Sequence, residues 1–230
     1  MIINFVRLGL TDYSGALEIQ KKLQLLRQQC KIEDVLLLLE HPPVLTLGSG
    51  GKHSNILLSK MELEAKGVKI FETNRGGDVT YHGPGQIVGY LIMDLNNYGK
   101  DLTNFVGRIC QVFTELLKEE YNIDAKRDRG KYTGVWVGNE KITAIGISVK
   151  HWVTMHGFAF NVNTQMEHFK WINPCGIKDK GVTSLQKILG TCQNFDTLNE
   201  KVLKYFCKEF DLEPLNTDIN SLIYGNIQNI

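Results

Sequence analysis

The chain is short of several things. Its five cysteines are odd in number and none stands at CxxC spacing, so neither a disulfide framework nor a cysteine-based metal site is expected. Its 26 Lys and Arg nearly balance 25 Asp and Glu, and a net charge of +1 gives no general pull toward nucleic acid or an acidic membrane surface. The six histidines lack the spacing of metal ligands. The longest apolar run, 35–39, is far below a membrane span. The opening Met1-Ile2-Ile3-Asn4-Phe5-Val6 reads as a strand, without the charged start and long apolar core of a signal peptide, and the expected address is the cytoplasm. There is no internal repeat and no low-complexity linker.

What is present is ordinary for a globular chain: 230 residues, 43% apolar and 22% charged. That length buries about 70–75% of the unfolded surface, so the fold needs no metal or disulfide to stand. Hydrophobic periodicity predicts strands over 2–8, 35–40, 44–47, 68–73, 86–95 and 153–162, and a hairpin over 134–151 turning at Gly138-Asn139. It predicts helices over 14–30, 59–66, 102–120, 183–189 and 198–210. Strands and helices interleave without strict alternation. The expectation is an α/β fold of α+β character, a mixed β-sheet with packed helices. A single domain spans 1–230, with 183–230 forming a small helical C-terminal lobe. Cys30, Cys110 and Cys207 each continue an apolar helical stripe and are expected to be buried and structural.

The sequence is most unusual at Arg75-Gly76-Gly77-Asp78-Val79-Thr80-Tyr81-His82-Gly83-Pro84-Gly85-Gln86. Glycine admits close backbone approach to a ligand, and here the glycines accompany a cation, an imidazole and an amide. Cys175 lies between Pro174 and Gly176, outside any helical or alternating stripe, in the setting of an accessible thiol nucleophile. Lys141 follows the Gly138-Asn139 turn. In a regular strand it shares a face with Thr143, Ile145 and Ile147. A lysine there either reaches water at the strand end or is partly desolvated, which would suit it to act as a base. His82 and His156 are rival bases by residue type.

These motifs resemble the lipoyl(octanoyl) transferases, octanoyl-[acyl-carrier-protein]:protein octanoyltransferases. The resemblance continues through Glu40-His41-Pro42-Pro43-Val44-Leu45-Thr46-Leu47-Gly48, Gly134-Val135-Trp136-Val137 and Lys141-Ile142-Thr143-Ala144-Ile145-Gly146-Ile147. It takes in Trp152-Val153-Thr154-Met155-His156-Gly157-Phe158-Ala159-Phe160-Asn161-Val162-Asn163, Asn173-Pro174-Cys175-Gly176-Ile177 and Val182-Thr183-Ser184-Leu185, and so spans about 35–185. Leu91 stands where proline is usual and Phe160 where leucine is usual, neither at the proposed chemistry.

The resemblance implies a biotin/lipoate protein ligase-like fold. It also implies a transfer, without ATP or any cofactor, of octanoyl from octanoyl-acyl carrier protein to one lysine of a lipoyl domain through a cysteine thioester. The lipoyl domains would be those of 2-oxoacid dehydrogenase E2 subunits and the glycine cleavage H protein. By motif, Cys175 and Lys141 form the catalytic pair. Arg75, Gly76, Gly77, Asp78, Val79, Thr80, Tyr81, His82, Ala144, Ile145, Gly146, Gly157, Phe158 and Ala159 bind the substrate, and no metal is implied. His82 is expected to orient the loop or line the pocket rather than serve as base. The backbone N–H groups of Arg75-Gly76-Gly77 and Cys175-Gly176 are candidate oxyanion donors. Lys126, Arg127, Arg129 and Lys131 are a candidate docking patch for an acidic carrier protein, or equally a solvated face. The competing readings are an ATP-dependent lipoate or biotin ligase on the same fold, an amidotransferase moving octanoyl between protein lysines, and a non-catalytic carrier-binding protein.

Overall fold

The computed structural model describes residues 1–128, 133–173 and 180–225. Its elements run in the order β1 (Ile2–Leu10), α1 (Tyr13–Gln28), β2 (Asp34–Glu40), β3 (Val44–Leu47), α2 (Lys60–Ala65), β4 (Lys69–Glu72), β5 (Val79–His82) and β6 (Gln86–Ile92). There follow α3 (Leu102–Tyr121), β7 (Lys126–Asp128), β8 (Gly134–Val137), β9 (Glu140–Lys150), β10 (Val153–Asn161) and β11 (Gly181–Val182). The chain ends with α4 (Leu185–Leu189), α5 (Phe195–Phe210), β12 (Glu213–Asn216) and α6 (Ile219–Tyr224).

The main sheet has the order β12-β1-β2-β6-β10-β9-β8-β7, with β11 added alongside β9. It is mixed, as expected. β12, β1 and β2 pair in parallel, whereas β2 through β6, β10, β9, β8 and β7 pair antiparallel. A smaller sheet, β4-β3-β5, carries its own core of Leu45, Leu47, Leu63, Val68, Val79, Tyr81 and Ile172.

Each face of the main sheet has its own apolar layer. On one face α3 and α5 contribute Phe105, Ile109, Phe113, Val202, Phe206 and Phe210 against Leu36, Leu91, Phe158 and Phe160. Both helices start on polar caps, with Asp101 accepting from Asn104 N–H and Asn194 from Thr197 N–H. The other face is covered in part by α1, whose Ala16 and Leu23 join Leu37, Val88, Val153 and Met155.

Several expectations need correction. Cys30 is exposed: α1 ends at Gln28 and the chain turns there, with Cys30 at φ 54°, so the apolar stripe stops before reaching it. Cys110 and Cys207 are buried, as the stripe predicts. Val79–His82, read as loop, is strand β5, paired antiparallel with β3. The segment after 183 is not wholly helical, because β12 extends the main sheet beyond β1. No helix among the described residues is long and apolar enough to cross a membrane.

Candidate active site

The site lies on the α1 face of the main sheet, and a period-2 alternation in two strands creates it. Along β10, Gly157 and Ala159 face one way and Phe158 and Phe160 the other. Along β9, Ala144 and Gly146 face that same first side, while Ile145 and Ile147 turn to the α3 side. The small residues align across strands: Val88 pairs with Ala159 and Ala159 with Ala144; Tyr90 pairs with Gly157 and Gly157 with Gly146. The bulky face packs on α3, where Phe158 meets Phe113 at 4.8 Å between ring centroids. The small face leaves room for a cavity of about 400 Å³, which is also lined from the α3 side by Ile145, Phe158 and Val106. That is the size of a small-ligand site.

The glycine-rich loop forms the roof. Beyond Gly134, which pairs with Ala144, β8 no longer covers β9, and Gly76 N–H takes the exposed edge by donating to Ile147 O at 3.1 Å. A Cβ on Gly146 would stand 2.7 Å from Gly76 O, so the floor glycine allows the loop to lie this close. Arg75 is buried and turned into the loop. Its Nη2 donates to Thr46 O at 2.7 Å and to Asp78 O at 2.8 Å, and its Nε donates to Thr46 Oγ1 at 3.2 Å. Asp78 fixes the far side, accepting from Val79 N–H at 2.7 Å and from Asn55 Nδ2 at 2.5 Å. One of these bonds removes an expected oxyanion donor: Gly76 N–H already has an acceptor, Ile147 O, while the Arg75 guanidinium clasps the loop.

Lys141 also departs from expectation, for a physical reason. The β8–β9 register jumps between Val135–Thr143 and Trp136–Lys141, making Ile142 the extra residue of a β-bulge. Cross-strand partners share a face, so the bulge turns Lys141 away from Thr143, Ile145 and Ile147 and onto the small-residue side. There its stem lies beside Gly134, where an added Cβ would stand 3.4 Å from Lys141 Cδ and Cε. Lys141 Nζ donates to Thr133 O at 3.2 Å and lies 4.9 Å from the Trp136 ring centroid. Lys180 packs on the same indole at 4.4 Å. β11 flanks Lys141 on its other side through the Val182 pairing, and Thr183 N–H donates to Lys141 O at 3.0 Å.

The structure brings most of the expected substrate residues together: Arg75, Gly76, Gly77, Asp78, Val79, Thr80, His82, Ala144, Ile145, Gly146, Gly157, Phe158, Ala159 and Lys141 all line the cavity. Tyr81 does not. Alternation along β5 points it into the small-sheet core, where its hydroxyl pairs with His168 Nδ1 at 2.7 Å. Cys175 and Gly176 lie outside the described residues, as do Arg129 and Lys131. Lys126 and Arg127 are exposed on β7, an edge strand of the main sheet.

Sequence reasoning missed the site's far wall. Tyr13, the first residue of α1, lines the cavity with Val88 and Tyr90. Behind them His41 Nδ1 donates to Thr11 O at 2.6 Å, and Tyr90 O–H donates to His41 Nε2 at 2.7 Å. His156 pairs with Asn74 Oδ1 at 2.8 Å, tying β10 to the residue before Arg75. Its backbone is left-handed, φ 65°, and its N–H donates to Gln20 Oε1 at 2.9 Å. A non-glycine residue held there costs about 1–3 kcal/mol and marks a constrained site.

Burial keeps these imidazoles neutral, lowering His41 to about 4, His156 to about 4 and His82 to about 3 from an ordinary 6.5. Below pH 6.5 the unfolded chain takes up protons that the folded chain refuses, so stability falls as pH drops from 6.5 toward 4. The expected loss at pH 5 is up to about 2 kcal/mol for each imidazole. Urea melts of the native chain and of His41→Gln check this, the variant giving the shallower pH slope.

The family model of the lipoyl protein ligase A/B catalytic domain matches residues 12–207. The chain is 60% identical over 208 residues to an octanoyltransferase from Desulforamulus reducens, covering 90% of this chain and 91% of that one. It is 60% identical over 210 residues to the octanoyltransferase of Caldicellulosiruptor saccharolyticus, covering 91% and 89%.

The chain belongs to the octanoyltransferase family.

Membership makes it an acyltransferase of the lipoyl protein ligase A/B group. Solved structures share the fold at low identity. A bi-partite lipoate protein ligase from Thermoplasma acidophilum, described with its E2 lipoyl domain, superposes with a TM-score of 0.72 at 12% identity, covering 100% of this chain and 93% of that one. Biotin protein ligase from Aquifex aeolicus gives 0.53 at 14%, covering 92% and 70%. The biotin/lipoate ligase-like fold expected of the octanoyltransferases is therefore present in this chain.

Proposed function

We propose that this chain moves an octanoyl group from octanoyl-acyl carrier protein to a specific lysine of lipoyl domains, through a thioester on Cys175 and without ATP. The acceptors are the lipoyl domains of 2-oxoacid dehydrogenase E2 subunits and the glycine cleavage H protein. The observation that carries this reading is a slot floored by Ala144, Gly146, Gly157 and Ala159, with Lys141 turned onto its face by the bulge. The slot suits a narrow apolar chain, and Lys141 is the proton carrier beside it.

In the first step the Cys175 thiol gives its proton to Lys141, and the thiolate attacks the thioester carbonyl. A new S–C bond forms, the bond to the carrier sulfur breaks, and that sulfur leaves with the proton from Lys141. Covalent catalysis thus divides one transfer into two manageable steps. Exchange of thioester for thioester is nearly balanced, which is why no nucleotide is needed. In the second step the incoming amine attacks the acyl carbonyl as Lys141 takes its proton; the amide forms, the C–S bond breaks, and the Cys175 sulfur leaves with the proton from Lys141. At rest, Lys141 Nζ donates to a carbonyl and sits over an indole, contacts that suit the ammonium partner of a thiolate. His82, buried and hydrogen-bonded to Gln86, orients and lines the slot rather than moving this proton.

The test compares octanoyl-acyl carrier protein alone with free octanoate plus ATP, each with an apo lipoyl domain. Amide formation from the carrier thioester alone is expected. Activity only with free acid and ATP would make the chain a ligase instead.

A further inference from the structure

The wall of the slot on the β6 side, across the sheet from Lys141, is polar. Tyr13 is 4% exposed and His82 7% exposed, and both line the cavity. Their rings lie nearly parallel, 12° apart, with centroids at 6.3 Å. The Tyr13 hydroxyl has no hydrogen-bond partner among the described residues.

The proton on His82 is fixed by its neighbour. Gln86 Nε2 donates to Tyr81 O at 3.2 Å and to Asn161 Oδ1 at 2.9 Å. A carbonyl can only accept, so the nitrogen of Gln86 must face Tyr81 and its oxygen must face His82 Nδ1, at 2.7 Å. His82 therefore carries its hydrogen on Nδ1. Its Nε2 is a bare acceptor that meets no donor among the described residues. The wall thus offers one O–H and one nitrogen lone pair, on two residues more than nine-tenths buried, neither with a partner among the described residues. Buried polar groups of this kind are ordinarily satisfied by water.

The floor gives the scale. From Ala144 on β9 through Ala159 to Val88 on β6 is two strand spacings, about 10 Å. An extended eight-carbon chain is of that order. We propose that Tyr13 and His82 form a polar end wall that measures the acyl chain, accepting one that stops short of their bound water and rejecting a longer apolar chain that displaces it. This rests on the octanoyl-transfer reading. Displacing ordered water with a group that cannot replace its hydrogen bonds loses affinity. One buried polar group left unpaired corresponds to about tenfold or more.

A steric stop and a polar stop differ on chains of equal length. The experiment compares octanoyl-, decanoyl- and 9-hydroxynonanoyl-acyl carrier protein by kcat/KM, for the native chain and Tyr13→Phe. Decanoyl and 9-hydroxynonanoyl have the same number of heavy atoms in line, but the hydroxyl can donate to His82 Nε2 and accept from Tyr13. The native chain is expected to use 9-hydroxynonanoyl about tenfold better than decanoyl. Tyr13→Phe, which breaks no hydrogen bond within the described protein, is expected to narrow that gap, mainly by improving decanoyl. Equal use of the two long chains, refusal of both, or a gap untouched by Tyr13→Phe would each overturn the polar wall while leaving octanoyl transfer intact. Failure of octanoyl itself would instead overturn the function on which the wall depends.

Discussion

Lys141→Ala is expected to lower formation of the acyl-enzyme by about 100-fold or more, the usual worth of a positioned proton carrier. The fold should survive, because Lys141 is the second residue of β9, beside the hairpin turn, and is only half-buried. Lys141→Arg should not restore activity. A guanidinium keeps its charge and cannot take the thiol proton. Quench-flow with octanoyl-acyl carrier protein, read by intact mass, checks the acylation rate, and thermal melting checks the fold. A Lys141→Ala chain that acylates within a few-fold of native would place the proton carrier elsewhere.

The second large effect separates two glycines on one row of the floor. A Cβ on Gly157 would stand 2.1 Å from Gly89 O, inside the pairing of β10 with β6. The obstacle is the backbone of a central strand, which cannot turn aside as a side chain does. Gly157→Ala is expected to cost about 3 kcal/mol of stability, the upper range for overpacking. A Cβ on Gly146 would meet Gly76 O at 2.7 Å, and that atom belongs to the roof loop. Gly146→Ala should therefore cost less stability than Gly157→Ala, about 1 kcal/mol, while lowering kcat/KM about tenfold or more, as the loop is displaced from its working position. Equal stability losses in the two variants would contradict the division of this row into sheet and loop contacts.

Much of the fold is legible in the sequence because the longer elements are strongly periodic. α3 carries Phe105, Ile109, Val112 and Leu116 on one face and is found where that spacing puts it. The 134–151 hairpin turns at Gly138-Asn139 as those residues predict. The short elements were not legible. β7 and β12 have three and four residues, too few for a period, and β12 contains a proline and is exposed throughout. β5 is concealed by the glycines around it.

The site divides along the same line. The Gly-Phe-Ala-Phe alternation in β10 marks a small face and a bulky face, so the slot floor could be read from residue size alone. The face of Lys141 could not, since a bulge adds one residue without any local signature and reverses the parity beyond it. Arg75 was recognisable as important, and its buried bonds to Thr46 and Asp78, which no local pattern announces, make its guanidinium a clasp for the loop. Tyr13 stands 62 positions before Arg75, on another element, with nothing around it to mark it. Only the packing of α1 against β6 and β10 brings it to the wall.

The measurement that tests the central claim most directly is intact mass after mixing the native chain and Cys175→Ala with octanoyl-acyl carrier protein, without ATP, followed by addition of an apo lipoyl domain. One hydroxylamine-labile octanoyl group on the native chain alone, chased onto the lipoyl domain, is the predicted result. A lipoyl domain octanoylated equally well by Cys175→Ala, or an adduct on the native chain that cannot be chased, would contradict transfer through Cys175.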